Sequence, residues 1–132
     1  METKTFGKDA VIFNAGDPGD CMYEVYTGKV GIYADYGTDR QKLLTEYYAD
    51  HYFGEMGLLD QLPRSATAVA MADNTCVGVI TEEGFDAFYR ENPARVLMVM
   101  QQISSNLRRR TNEYMSVCRS IRNLTEMEDS AK

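Results

Sequence analysis

The residues with the clearest chemical potential lie between Tyr52 and Ala68, in the sequence YFGEMGLLDQLPRSATA. Arg64 supplies a permanent positive charge and a two-pronged donor that matches phosphate oxygens, and the hydroxyl of Ser65 can donate beside it. The carboxylate of Glu55 would repel a bare phosphate, but it is a suitable acceptor for a sugar hydroxyl attached to that phosphate. This combination predicts a site for a nucleotide rather than for inorganic phosphate.

The local pattern around these residues predicts how they are presented. It is typical of a strand end, a glycine, a short helical turn with Leu58 and Leu59 facing inward, a proline turn, and then a strand opened by Arg64. A turn of this kind points free backbone N–H groups at one spot, which favours the binding of an anion.

The rest of residues 10–81 consists of short β-branched and aromatic runs interrupted by Gly, Pro and Asp, which predicts an all-β roll or barrel. The turn from Gly16 to Asp20 contains a proline and two glycines and reverses the chain tightly. The predicted strands are 10–13, 22–27, 29–35, 41–48, 65–72 and 75–81.

Helical patterns begin after this β region. Phe85, Phe88 and Tyr89 have helical spacing, and Thr81 is a suitable N-cap, so a short helix is predicted at about 82–91. Asn92-Pro93 then suits the start of a long helix at about 93–126, in which the proline occupies the first helical position.

The long helix carries a heptad-like seam, which predicts a parallel homodimer through this helix. The alternative is a helix packed on its own domain, which needs only the first few turns. One charged residue, Arg110, interrupts the seam. The seam positions are Val96, Met100, Ile103, Leu107, Arg110, Tyr114, Val117, Ile121 and Leu124.

The segment Phe-Gly-Glu, two leucines and Pro-Arg-Ser-Ala-Thr resembles the phosphate-binding cassette of the cyclic nucleotide-binding domain family, which includes catabolite activator proteins and kinase regulatory subunits. The similarity extends upstream through residues 11–13, 16–23 and 28–30 and downstream through 92–93, and it covers most of residues 4–124. It implies a mainly β fold: a β-roll (double-stranded β-helix or jelly roll) over about 4–81, followed by the short helix and the long dimerisation helix. Residues 1–132 then form a single domain.

The resemblance also implies roles for individual residues. Gly54 and Glu55 would meet the ribose 2'-hydroxyl, and Arg64 and Ser65 would hold the cyclic phosphate. Counting from the Asn-Pro that opens the long helix places the polar pair that reaches the base at Arg110 and Thr111, where Arg110 replaces a smaller hydroxyl residue of the family.

The resemblance leaves the choice between two ligands open. At position 65, cAMP-selective kinase domains carry alanine and cGMP-selective ones carry threonine, whereas catabolite activator proteins, which prefer cAMP, carry serine as this chain does. The expected ligand is therefore cAMP, with cGMP as the alternative, and no cofactor is required.

Composition excludes several classes of function. The net charge is −6, and residues 94–127 carry six arginines against two glutamates, so the remainder of the chain has a net charge of −10. This balance argues against direct nucleic-acid binding. The sequence has no metal-ligand spacing and no nucleophile beside a base, so neither a metal site nor an enzyme is expected. Polar N-terminal residues and the lack of a long apolar run predict a cytoplasmic protein without a membrane span.

Two functions from different classes follow. The first is a cyclic nucleotide sensor that couples ligand binding to the geometry of the long helix and the dimer, with a protein effector of unknown identity as a partner. The second is a dimeric interaction module that retains a vestigial pocket and binds an acidic partner through its basic helix. The chain can also be the sensor fragment of a transcription regulator.

Overall fold

A computed structural model describes residues 2–55 and 62–131 of the chain. The strands in this part are β1 (Glu2–Phe6), β2 (Val11–Phe13), β3 (Cys21–Thr27), β4 (Val30–Ala34), β5 (Lys42–Tyr47), β6 (Tyr52–Phe53), β7 (Thr67–Ala70) and β8 (Thr75–Thr81). The helices α1 (Glu82–Glu91) and α2 (Pro93–Ala131) follow. The predicted fold class, mainly β with C-terminal helices, is confirmed.

The strands form two antiparallel sheets of four strands each. The first sheet has the order β1-β8-β3-β6, and the second has the order β2-β7-β4-β5. Neighbours in each sheet are mostly distant in sequence, so the chain crosses repeatedly between the sheets, as in a jelly roll.

The hydrophobic core lies between the two sheets. Alternation along β3 turns Cys21, Tyr23 and Val25 to the interior, as expected for a strand with one face on the core. Residues from both sheets complete this cluster, so burial of these side chains fixes the strand registers. The other members are Val30, Tyr47, Phe53, Ala68, Val77 and Val79.

Besides β6, which the sequence indicates only as a strand end, three elements differ from the sequence-based expectation. The first strand, β1, is absent from the predicted list because its residues are mostly polar and exposed, and it is held by pairing with β8 at the sheet edge. The strand β7 is shorter than the predicted 65–72 because the backbone bends at residues 65–66 and turns at 72–74. The helix α2 continues to Ala131, past the predicted end near 126.

The chain divides into two compact units, residues 1–96 and 97–132. The first contains the sheets, α1 and the first turn of α2, and the second contains the rest of α2. The expectation of one domain over residues 1–132 stays a prediction. In the described ranges, no helix combines the length and the apolar character required to cross a membrane.

The helix α1 is attached to the first sheet by a cap and by aromatic packing. The hydroxyl of Thr81 accepts a hydrogen bond from the backbone N–H of Gly84 at 3.1 Å, which confirms the predicted N-cap. Phe88, 2% exposed, meets the ring of Tyr52 edge-on at a centroid distance of 6.2 Å. This packing places α1 on the face of the sheet that lies away from the core.

The first turn of α2 is attached to the same face by an ion pair. Arg95 Nη1 lies 3.1 Å from Glu24 Oε1 and donates a hydrogen bond to Glu24 Oε2 at 3.3 Å. The Tyr52 hydroxyl donates to Glu24 Oε1 at 3.4 Å. Glu24 is 2% exposed, so burial raises its pKa, although the charge of Arg95 and the hydrogen bond from Tyr52 oppose that rise.

Replacing Glu24 with Gln tests the raised pKa of this carboxyl. In the pH range between its ordinary value of 4.5 and its raised value, the folded protein binds a proton that the unfolded chain does not bind. The free energy of unfolding of the wild type should therefore rise, relative to that of E24Q, as the pH falls through this range. Urea unfolding of both proteins at several pH values measures the difference, and a difference that does not vary with pH would contradict the expectation.

Candidate functional site

The candidate site is built around the buried guanidinium of Arg64, which is 7% exposed. Its Nη1 donates to the carbonyl oxygen of Gly54 at 2.8 Å, and its Nη2 donates to the carbonyl oxygen of Cys21 at 2.8 Å. Nη2 also lies 3.5 Å from the Cys21 sulfur. These bonds join the segment before β7 to the start of β3 and the end of β6.

The backbone of Arg64 is held by the turn between β2 and β3. Its N–H donates to the carbonyl of Asp17 at 2.8 Å, and its own carbonyl accepts from the N–H of Gly16 at 2.7 Å. The side chain of Asp17 stabilises this turn, because its carboxylate accepts a hydrogen bond from the backbone N–H of Asn14 at 2.9 Å. The turn at residues 14–17, which overlaps the start of the predicted turn at 16–20, therefore positions the backbone of Arg64.

Aromatic rings form the apolar floor beneath the guanidinium. The Arg64 carbon Cζ lies 4.4 Å from the ring centroid of Phe13 and 5.7 Å from that of Tyr23. The rings of Tyr23 and Phe53 stack at 4.9 Å, and Phe13 contacts both rings. Cation–π attraction favours this placement and holds the planar group in one orientation.

Gly54 is required by its conformation and by its closeness to Arg64. Its φ is +71°, in the left-handed region. A Cβ at this position would lie 2.9 Å from Arg64 Nη1, 3.4 Å from Tyr23 and 3.5 Å from Phe13. A side chain here would therefore require the guanidinium to shift away from its position at the Gly54 carbonyl.

The positive charge of Arg64 is uncompensated within the described residues. No carboxylate from residues 2–55 or 62–131 pairs with it, and its Nε is a buried nitrogen without a hydrogen-bond partner in that part of the chain. Burial, more than any other cause, raises the pKa of Tyr23, and the hydrogen bond with Cys21 raises it further, so the phenol stays neutral. A buried cation with a spare N–H is a good receptor for an anion.

The structure brings some of the predicted site residues together. Gly54 contacts Arg64 directly, and Glu55 follows Gly54 and is half-buried. The described partners of the guanidinium are carbonyl oxygens and sulfur, so Arg64 and Glu55 do not form an ion pair in the described part of the chain. Ser65 is exposed beside Arg64.

Other predicted features lie elsewhere or outside the described residues. Leu58 and Leu59, and with them the short helical turn and its N–H groups, lie outside the described residues. Arg110 and Thr111 are exposed residues of α2 in the unit 97–132. Their contact with a base stays a prediction.

Four residues that support Arg64 have no role in the sequence-based prediction: Phe13, Asp17, Cys21 and Tyr23. Two of them, Asp17 and Cys21, act through backbone carbonyls, and carbonyls are invisible in a residue pattern. The sequence points to these four residues only indirectly, because all four lie in the segments 11–13 and 16–23 whose similarity to the family accompanies the cassette.

Comparison with protein families gives a direct match. A family model described as the cyclic nucleotide-binding domain matches residues 3–92, which is more than half of the chain. The chain belongs to the cyclic nucleotide-binding domain family. The matched range contains every residue that holds Arg64.

Two curated relatives illustrate this membership. The cyclic AMP receptor protein of Thermus thermophilus is 33% identical over 113 residues, which are 86% of this chain and 50% of the relative. A cAMP-dependent protein kinase regulatory subunit of Candida albicans is 37% identical over 76 residues, 58% of this chain and 16% of the relative. This chain thus spans at most about half the length of these relatives.

A solved structure supports the same assignment in three dimensions. The crystal structure of Thermus thermophilus catabolite activator protein matches with a TM-score of 0.72 and 28% identity, covering 85% of this chain and 52% of that chain. The shared fold is that of the cyclic nucleotide-binding domain family.

Replacing Gly54 with Ala should destabilise the fold and displace Arg64. The left-handed φ costs about 1–2 kcal/mol for a residue with a Cβ, and the lost hydrogen bond to the carbonyl adds roughly 1 kcal/mol or more. Gly37 is a matched control, because its φ is +83° and an added Cβ there meets nothing within 4 Å. Urea unfolding of G54A and G37A separates the two costs, and equal losses would contradict a role for Gly54 in seating Arg64.

Proposed function

We propose that this chain is a cyclic nucleotide sensor whose ligand is cAMP, with cGMP as the alternative. The observation that carries the proposal is the buried guanidinium of Arg64, whose charge is uncompensated and whose Nε has no partner among the described residues. An empty site would leave this charge without an anion, which is costly in a buried position. The named relatives, a cyclic AMP receptor protein and a regulatory subunit of a cAMP-dependent kinase, support the same ligand class.

Each site residue has a distinct role in this proposal. Arg64 pairs with the charged oxygens of the cyclic phosphate, and the exposed hydroxyl of Ser65 donates to the same group. Glu55 accepts a hydrogen bond from the ribose 2'-hydroxyl, and Gly54 allows the sugar to approach the backbone. The pairing of a cation with a carboxylate selects an anion that carries a sugar over a bare anion.

The base is assigned to α2. Arg110 stacks on the base or donates to it, and the Thr111 hydroxyl supplies a second polar contact. This assignment explains why a charge interrupts the apolar seam at Arg110. The ligand preference follows from Ser65, as in the sequence-based expectation.

The role is regulatory rather than catalytic. Nucleotide binds more tightly to one arrangement of the site and α2 than to the other, and it shifts the population toward that arrangement. The response is read by a protein effector in the cytoplasm, without direct binding of this chain to nucleic acid or membrane. The names of the relatives, a receptor and a regulatory subunit, support this class of function.

The homodimer is assigned to the seam of α2. The apolar side chains of this seam are exposed in the single chain. A contiguous row of exposed apolar side chains is unfavourable in water unless a partner covers it. A second copy provides a matching seam in parallel register. The exposed seam residues are Met100, Leu107, Tyr114, Val117, Ile121 and Leu124.

Calorimetric titration with cAMP and with cGMP tests the ligand. Arg64→Ala removes the charge and should weaken binding by at least about 30-fold, the loss expected when one partner of a buried charge pair is truncated. Arg64→Lys retains the charge without the two-pronged geometry and should weaken binding by roughly ten-fold.

The control for this titration is Arg40→Ala, which removes an exposed arginine from the β-roll and should leave binding unchanged. Loss of affinity that is equal in R64A and R40A would point to general electrostatics. If neither nucleotide binds the wild type at millimolar concentration, the sensor function is refuted and the vestigial-pocket alternative takes its place.

A charge placed in the seam tests the dimer. Ile121→Glu buries a carboxylate in the proposed interface and should shift the protein to monomer at micromolar concentration, as measured by light scattering. Ser120→Glu adds the same charge one position away from the seam and should remain dimeric. A monomeric wild type, or a dimeric I121E, would refute the parallel dimer.

A further inference from the structure

Strands β3 and β6 are paired, and the two faces of this pair contact different parts of the structure. The register places Tyr23 opposite Phe53 and Glu24 opposite Tyr52. Because successive side chains of a strand point to opposite faces, the first pair faces the core and the second faces the helices. The β3–β6 pair therefore lies between the proposed anion site at Arg64 on one face and the attachment of the helices on the other face.

The inner face is in direct contact with the anion site. The ring of Tyr23 lies under the guanidinium of Arg64, and Phe53 stacks on Tyr23 at 4.9 Å. Phe53 is followed at once by Gly54, whose carbonyl accepts from Arg64. Arg64 is therefore connected through the Gly54 carbonyl to β6, which has only two residues, Tyr52–Phe53.

The outer face is in direct contact with both helices. The Tyr52 ring meets Phe88 of α1, and its hydroxyl donates to Glu24. Glu24 also pairs with Arg95 in the first turn of α2. Glu24 is 2% exposed, whereas the side chain of Arg95 is 48% exposed, so the fixed member of the pair belongs to the sheet.

Stability alone does not explain a carboxylate at this position. Replacing a buried ion pair by neutral residues of similar shape is often neutral or stabilising, because desolvation of the charges offsets their attraction. Burial raises the pKa of Glu24, which means that its charged form is disfavoured by the fold. Perturbed groups of this kind concentrate at functional positions.

We propose that Glu24 is a positioning residue that links occupancy of the anion site to the first turn of α2, through its hydrogen bond with Tyr52 and its ion pair with Arg95. The inference rests on the proposed function, because it requires a ligand at Arg64. Movement of Arg64 shifts Gly54 and the adjoining β6, and Tyr52 carries the shift to Glu24. The ion pair between Glu24 and Arg95 then becomes stronger or weaker.

Hydrogen exchange at the backbone amides of Arg95 and Val96 measures how strongly the ion pair with Glu24 stabilises the first turn of α2. Both donate to the carbonyl of Asn92, at 3.0 and 3.2 Å, and these bonds open when the first turn frays. Hydrogen exchange at the two amides, measured by NMR with and without saturating cAMP, should change by about five-fold or more in the wild type. In E24Q and in R95Q the change should disappear, although cAMP still binds with an affinity within about ten-fold of wild type.

The double variant E24Q/R95Q should behave as either single variant does, because the two residues act as one unit. Glu46→Gln is the matched control, since it removes the carboxylate of the Lys29–Glu46 ion pair on the second sheet (3.2 Å). The exchange response to cAMP should survive in E46Q. If E24Q fails to fold, R95Q decides the test, because its side chain is half-exposed.

The outcomes separate this inference from the proposed function. A wild type that binds no cyclic nucleotide overturns both. A wild type that binds but shows no exchange response at Arg95 and Val96 overturns only the inference. The inference alone is also overturned if the hydrogen-exchange response to cAMP persists in E24Q or R95Q, or if E46Q loses this response to the same extent.

Discussion

The guanidinium of Arg64 organises the first unit of this chain. It is a permanent charge placed against the aromatic residues Phe13 and Tyr23, and such a charge is stable there only when its donors are satisfied. The carbonyls of Gly54 and Cys21 satisfy two of them and at the same time tie three distant segments together. The N–H of Nε is also buried and has no hydrogen-bond partner among the described residues, which is the physical basis of the proposed anion binding.

The support of Arg64 and the attachment of the helices share the same strands. Tyr23 and Phe53 face the core beneath the guanidinium, whereas Glu24 and Tyr52 face Phe88 of α1 and the first turn of α2. The two-residue length of β6 leaves few bonds to resist a shift, and Gly54 beside it already has a left-handed backbone. The residues that hold Arg64 and those that attach the helices therefore lie on opposite faces of one strand pair, which is the short physical connection on which the proposed coupling depends.

Much of the fold was predictable because local patterns and the fold agree. The strands β2 to β5 and β8 were predictable from β-branched and aromatic runs between turn residues, and α1 from its spacing and the Thr81 cap. The strand β1 was not, since polar residues at a sheet edge depend on the partner strand rather than on their own pattern. The cassette residues were predictable from the resemblance to the cyclic nucleotide-binding domain family, which the match to residues 3–92 confirms. Their individual ligand contacts remain predictions.

The sequence by itself determined the β-rich character of residues 10–81, the presence of a turn before β3, the heptad seam, and the residue types suited to a sugar and a phosphate. These properties depend on side chains and on neighbours near in the chain. Only the tertiary structure decided that Arg64 is held by the carbonyls of Gly54 and Cys21, and that Glu24 meets Arg95. The reason is physical: a backbone carbonyl is the same in every residue, and a contact between positions 24 and 95 exists only after the chain has folded and brought the first turn of α2 to the outer face of the first sheet.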